Sequence, residues 1–133
     1  MKSSKFTFRA LLLAAICMTI MGHSLTAQEL ADKEGKIRKK VFIFTYSEEI
    51  TAAQIDSVKA DFLSLPALVD GMISAEWGKD SENNQKHCLI LTFTSDEAHE
   101  RYANHPIHQG LGPKFGHLFA GAEMVIADFW TEP

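Results

Sequence analysis

The sequence predicts a small α+β domain in which a four-stranded antiparallel sheet carries its helices on one face. Three observations support this prediction: short runs of β-branched and aromatic residues, helical repeats with capping residues between them, and Gly or Pro at the boundaries. In chain order they give strand, helix, strand, strand, helix and strand. The 133 residues are enough for one domain.

Four apolar runs predict the strands. They are residues 41–46, 72–78, 88–93 and 124–130, each too short for an independent helix. A polar loop separates the second run from the third, and an Asp-Gly turn at Asp70 and Gly71 precedes the second. With a helix after the first strand and another after the third, this order is the ferredoxin-like arrangement.

Capping residues predict where the helices begin. Thr51 followed by Gln54 forms a capping box, and apolar residues then recur at helical spacing as far as Pro66. Ser95, followed by two acidic residues, begins the second helix, which we expect to end near Pro106. After that point Gly and Pro interrupt the sequence, and it predicts only a short helical piece at residues 114–119.

Residues 1–27 are typical of a secretory signal peptide. Three basic residues come first, a continuous apolar run covers residues 10–21, and small residues follow. The apolar run is shorter than the roughly 20 residues that a membrane-spanning helix needs. We therefore expect cleavage after Ala27 and a periplasmic or secreted protein.

The remaining chain divides into a tether and an acidic domain. Residues 28–39 are polar and charge-dense and predict a tether, so the domain is expected at 40–133. Residues 28–133 hold ten Lys and Arg against seventeen Asp and Glu, a formal charge of −7. This charge disfavours nucleic acid as a partner, and it disfavours an anionic membrane surface after cleavage. Cys88 alone remains after cleavage, so no internal disulfide is possible.

The predicted strands are apolar on both sides. In the first strand Val41 and Ile43 alternate with Phe42 and Phe44, and the third and fourth strands follow the same pattern. One face packs against the helices, and the other must be buried elsewhere. We therefore expect a homodimer joined through the face that carries Val41, Ile43 and Val125.

Three local strings identify a family resemblance. They are WGKD at residues 77–80, TFTS at 92–95 and YANHPIH at 102–108, of which the last is the most specific. With them, residues 40–130 resemble the stress-responsive dimeric α/β-barrel (Dabb) family. The resemblance implies a dimeric α+β barrel, and it does not imply one activity, because fold is a poor guide to chemistry.

The resemblance also implies where chemistry would occur. In a cyclase of the family the catalytic base is a His in the helix-end motif and a nearby Tyr assists it; these positions are His108 and Tyr102 here. That cyclase also uses a His at the start of its first strand, where this sequence has Lys40.

Asp128 is the most informative carboxylate. It lies within an apolar strand, where a carboxylate is costly unless it is paired. One interpretation is a residue at the sheet edge that reaches water, and the other is a partner that orients the ring of His108. We favour the second. His105 has two interpretations as well, a ligand contact or a residue that caps the end of its helix.

Several further side chains are candidates for an apolar ligand pocket, although aromatic strand residues are also common in cores. The expected ligand-binding residues are Lys40, Phe42, Phe44, Trp77, His105 and Leu111. We expect no cofactor and no metal, because His105 and His108 lack a spaced third ligand.

Three functions remain open. The first is a homodimer that binds a small apolar or enolisable ligand. The second is an enzyme of the cyclase, lyase or isomerase type, in which His108 removes a proton next to a carbonyl group and Tyr102 stabilises the oxyanion. The third is a structural or stress protein whose dimer face is its function. The sequence leaves open whether the protein is an enzyme.

Overall fold

A computed structural model describes residues 35–119 and 122–131. The predicted signal peptide and residues 28–34 of the predicted tether lie outside these ranges. The described elements are β1 (Arg38–Thr45), α1 (Ala52–Ser64), β2 (Met72–Lys79), β3 (Lys86–Phe93), α2 (Asp96–Asn104), α3 (Pro106–Phe119) and β4 (Glu123–Trp130). A single 3-10 turn, Leu65–Ala67, follows α1.

The four strands form one antiparallel sheet in the order β2-β3-β1-β4. This confirms the predicted α+β class with a four-stranded antiparallel sheet. β1 is a central strand, and it begins at Arg38, within the segment predicted as a tether. Arg38 pairs with Phe93 on one side and with Trp130 on the other. Pairing on both sides provides hydrogen-bond partners for the backbone N–H and C=O groups of the charged residues at the start of β1. The strand therefore extends beyond its apolar run.

The capping residues begin α1 and α2 as predicted. Thr51 caps α1 in a complete capping box with Gln54. Ser95 caps α2 by accepting a hydrogen bond from the backbone N–H of Ala98 at 3.2 Å. Gly71, in the turn before β2, has φ +83°, a backbone conformation that favours glycine. Local sequence signals were therefore sufficient to predict where α1 and α2 begin and where the turn before β2 lies.

The helix after α2 differs from the prediction. We expected a short piece at residues 114–119, whereas α3 runs from Pro106 to Phe119. Pro106 occupies the first helical position, where its missing N–H costs no hydrogen bond. Leu111, Phe115 and Leu118 form a buried stripe along α3. Burial of this stripe outweighs the helix-breaking tendency of Pro113 and the glycines in the segment.

The core lies between the helices and one face of the sheet. The buried strand residues on this face include Phe44, Leu89, Leu91 and Phe93. On the opposite face Val125 is 64% exposed and Ile43 is 37% exposed, and Phe129 is also exposed. The sheet therefore leaves an apolar face uncovered in one protomer, as the alternation of residues predicted.

Among the described residues, no helix has both the length and the apolar character needed to cross a membrane.

Candidate functional site

Tyr102 lies at the centre of a group of rings beneath α2. Its side chain is 3% exposed, and its ring centroid is 5.3 Å from that of Phe93 on β3. Burial raises the pKa of the Tyr102 hydroxyl above its usual value. The phenol therefore keeps its proton at neutral pH and can donate a hydrogen bond.

His108 packs directly against Tyr102. The two ring centroids are 4.2 Å apart. The junction between α2 and α3 produces this contact, because Tyr102 lies near the end of α2 and His108 lies in the first turn of α3. The structure thus brings together the two residues that the helix-end motif predicted to act as a pair.

A backbone carbonyl fixes the tautomer of His108. Nδ1 of His108 lies 3.1 Å from the carbonyl oxygen of Ala103. A carbonyl oxygen can only accept, so Nδ1 donates and the neutral ring has its lone pair on Nε2. Within the described part of the chain no hydrogen bond reaches Nε2. This nitrogen is therefore the atom of the ring that can accept a proton.

His105 stands between the two helices and caps the second of them. We considered it as a residue capping the end of its own helix, and its backbone N–H does bond to the carbonyl of Tyr102. Its ring acts elsewhere: Nδ1 accepts a hydrogen bond from the backbone N–H of Ile107 at 3.3 Å. The side chain therefore caps the beginning of α3 instead of the end of α2.

Asp128 pairs with Arg38, a residue of the segment predicted as a tether. Arg38 donates from Nε to Oδ1 at 2.9 Å and from Nη2 to Oδ2 at 2.8 Å. The hydrogen bond from Arg38 holds the pKa of Asp128 below its usual value. His108 is held by Ala103 instead, so the expected hydrogen bond between Asp128 and His108 is not formed. The bidentate fit of a guanidinium to a carboxylate accounts for this choice of partner.

Lys40 lies next to the same carboxylate. Its Nζ is 4.0 Å from Oδ2 of Asp128 and 5.6 Å from the ring centroid of Phe42. Lys40 and Phe42 lie on the helix-facing side of β1, two residues apart. These two predicted ligand-binding residues therefore lie on the same side of the sheet as Tyr102.

The other predicted pocket residues lie elsewhere. Phe44 and Trp77 belong to a separate ring cluster with His87, in which the centroids of Phe44 and Trp77 are 5.4 Å apart. Leu111 is a buried core residue on the apolar stripe of α3. The structure therefore does not place the six predicted residues around one point.

His99 is a second histidine beside Tyr102, and no partner for it was evident from the sequence. Its ring centroid is 5.9 Å from that of Tyr102 and 5.2 Å from that of Phe93. Burial lowers the pKa of His99, and the charges of Arg38 and Lys40 lower it further. His99 lies one helical turn before Tyr102 on α2, and this spacing is the signal that could have identified it.

A search of residues 35–119 and 122–131 finds no group of three or more His, Cys, Asp or Glu side chains placed to hold a metal ion.

Comparison with known proteins identifies the family. Residues 38–131 match Dabb, the Stress responsive A/B Barrel Domain. The chain belongs to the Dabb family. The match begins at the first residue of β1 and ends one residue after β4, so it covers the whole sheet and the helices between its strands.

Relatives of this Dabb chain have different activities. Olivetolic acid cyclase from Cannabis sativa is 30% identical over 79 residues, which are 56% of this chain and 78% of that protein. Hydroxynitrile lyase from Passiflora edulis has a TM-score of 0.62 at 19% identity, covering 72% of this chain and 94% of that chain. A dimeric ferredoxin-like protein of unknown function from Thermobifida fusca has a TM-score of 0.61 at 18% identity, covering 74% of this chain and 93% of that one. Both structures share the fold of this chain, and the second is described as ferredoxin-like, which confirms the predicted fold.

Proposed function

We propose that this Dabb protein binds a small enolisable carbonyl compound beside Tyr102 and transfers a proton from its α-carbon to Nε2 of His108. One observation carries the proposal: the bond from Nδ1 of His108 to the carbonyl of Ala103 directs the lone pair of Nε2 away from the backbone, beside Tyr102. A general base needs such an unprotonated nitrogen, held in a fixed orientation.

Tyr102 supplies the complementary group. Removal of a proton next to a carbonyl places negative charge on the carbonyl oxygen. The Tyr102 hydroxyl is protonated at neutral pH because burial raises its pKa, so it can donate a hydrogen bond to that oxygen. A base and a hydrogen-bond donor in contact are the minimum arrangement for enolisation.

The relatives agree with chemistry of this general kind. One is named as a cyclase and one structural neighbour as a lyase. The first of them is similar in sequence over most of its length, and the second shares the fold. The proposal takes from them only that a Dabb domain can serve as an enzyme.

Export and dimerisation complete the proposed function. In residues 1–27, basic residues are followed by an apolar run and then by small residues. This order supports a secreted or periplasmic location. The uncovered apolar face with Ile43 and Val125 supports a homodimer, and the protein from Thermobifida fusca is described as dimeric. Each protomer would carry its own Tyr102–His108 pair.

Proton transfer can be tested by deuterium exchange at the α-carbons of phenylacetone in D2O, followed by 1H NMR. The protein should accelerate the exchange. His108→Ala should reduce the acceleration by about 100-fold or more, the range expected for loss of a general base. Tyr102→Phe should reduce it less, because it removes one hydrogen bond and keeps the ring. His117→Ala, an exposed histidine at the other end of α3, is the matched control.

A binding protein without chemistry is the second candidate. Lys40 stands where the family resemblance led us to expect a His, and its ammonium group pairs with Asp128. Shifts of the His108 ring resonances on addition of phenylacetone, without faster exchange, would support binding alone. Exchange that is unchanged in His108→Ala would contradict the proposed role of His108.

A further inference from the structure

A cavity lies at the other end of the sheet from Tyr102. It has a volume of about 330 Å³ and lies between α1, the end of β2 and the loop that leads into β3. Its lining includes apolar side chains, two lysines and one histidine: Ile50, Ile55, Lys59, Trp77, Lys79 and His87. Asp56 is the one carboxylate among the lining residues, so the cavity carries more positive than negative charge.

His87 is the buried polar group of this cavity. The residue is 5% exposed, and Nε1 of Trp77 donates a hydrogen bond to its Nδ1 at 3.0 Å. An indole N–H can only donate, so Nδ1 accepts and the neutral ring carries its proton on Nε2. Nε2 is enclosed and has no hydrogen-bond partner of acceptable geometry in the described structure, although the backbone of Asn84 lies near the ring. The site therefore contains an oriented N–H donor whose neighbouring backbone acceptor, at Asn84, is poorly aligned with it.

The charges around His87 indicate the kind of acceptor. Burial lowers the pKa of His87, and the nearby charges of Lys79 and Lys59 lower it further. The two ammonium groups thus act on the same ring, and they favour an anionic acceptor at Nε2. Trp77 and Ile55 supply an apolar wall for the rest of the ligand. The volume is at the small end of the range for ligand pockets, which favours a compact molecule.

We propose that this cavity binds a small carboxylate with an aromatic or short aliphatic body. Lys59 and Lys79 would neutralise the charge of the carboxylate, and a small shift of the enclosed His87 ring would bring Nε2–H to one carboxylate oxygen.

The site is separate from the proposed proton-transfer pair and does not depend on it. His87 and Phe93, the β3 residue in contact with Tyr102, are six residues apart on one strand, which is about 20 Å. The fully buried side chains of Leu89 and Leu91 fill the same face of β3 between them.

NMR titration with benzoate tests the proposal on 15N-labelled protein in its exported form. The imidazole resonances of His87 and the indole N–H of Trp77 should shift together and saturate with benzoate. Benzyl alcohol has a similar body without the charge and should bind at least tenfold more weakly. The double variant Lys59→Met, Lys79→Met keeps buried residues intact and should weaken benzoate binding at least tenfold. Lys86→Met removes an exposed charge next to His87 in sequence and should leave binding within twofold.

Three results would overturn the proposal. The first is the absence of shifts at 20 mM benzoate, and the second is equal binding of benzyl alcohol and benzoate. The third is benzoate binding that the double lysine variant leaves unchanged, because the charge would then have no role. His87→Phe offers an independent test: if it folds, as its amide spectrum will show, benzoate binding should be lost.

Discussion

Arg38 and Asp128 form a two-point contact between the first and last strands of the sheet, with N–O distances of 2.9 and 2.8 Å. The third nitrogen of the same guanidinium, Nη1, donates to Oδ1 of Asp96 at 2.9 Å. Asp96 is the first residue of α2, the helix that carries Tyr102. One side chain therefore links β1, β4 and the start of the helix that positions the candidate site.

Removal of this link should cost stability. Arg38→Met keeps the aliphatic length of the side chain and removes its hydrogen bonds to both carboxylates. The pair is partly exposed, with 20% and 31% of the two side chains accessible. We therefore expect a loss of about 1–2 kcal/mol in the free energy of unfolding, measured by urea denaturation. Lys86→Met, at an exposed position, should change it by less than about 0.5 kcal/mol. Equal stability of the two variants would show that the link contributes nothing.

The buried His87 and the half-buried His99 should make stability depend on pH. Burial lowers the folded-state pKa of His87 and of His99 below the ordinary value near 6.5. As the pH falls below 6.5, the unfolded chain takes up protons before the folded chain does, so stability falls. For one histidine the slope is at most about 1.4 kcal/mol per pH unit.

His99→Gln should reduce the loss of stability between pH 7 and pH 5. Urea denaturation at several pH values measures this change. Between pH 7.5 and pH 8.5 His99, whose folded-state pKa lies below its ordinary value, is neutral in both states, so the variant and the wild type should there show the same dependence on pH. A slope below pH 7 that is unaltered by the substitution would contradict the role given to His99.

Ile43→Asp should disrupt the dimer. The substitution places a charge on the apolar sheet face that we expect to be buried between protomers, and sedimentation at micromolar concentration should show a shift to monomer or a loss of solubility. Leu68→Asp is the matched control, because Leu68 is exposed but follows the 3-10 turn and lies outside the sheet. If the wild type is already monomeric, or if Ile43→Asp remains dimeric, the assignment of this face is wrong.

Export should remove the leader. We expect a mature chain that begins near Gln28, and intact-mass measurement on periplasmic and culture fractions checks it. A full-length mass, or recovery in the membrane fraction alone, would contradict the predicted cleavage.

Local signals were sufficient to predict most of the fold. The capping box at Thr51 and the Ser95 cap involve residues within one helical turn, so the sequence shows both partners at once. The predicted length of α3 was too short because Pro113 and the neighbouring glycines are typical helix breakers. The buried apolar stripe that stabilises α3 depends on tertiary packing, which the local sequence does not show. Arg38 was placed in the tether because its neighbours are charged, and its strand conformation depends on two partners that are distant in sequence.

The candidate site was predictable only in part, because some of its contacts also join residues that are distant in sequence. Tyr102 and His108 are six residues apart, and a single helix junction determines their contact. Arg38 and Asp128 are separated by 90 positions, and no spacing rule connects them. The sequence could show that Asp128 needed a partner, and the pairing of β1 with β4 determines which residue that partner is.

The junction between α2 and α3 has a consequence for how the sequence can change. His105 is the single residue between the two helices, and the hydrogen bond that Nδ1 of His108 donates to the carbonyl of Ala103 spans it. Adding or deleting one residue there would change the direction in which α3 leaves α2, because the extended backbone of His105 turns the chain between the two helices. The contact between His108 and Tyr102 depends on that turn and would be lost. Chain length should therefore be fixed at this junction, whereas the exposed connection between β2 and β3 can accept insertions without moving either ring.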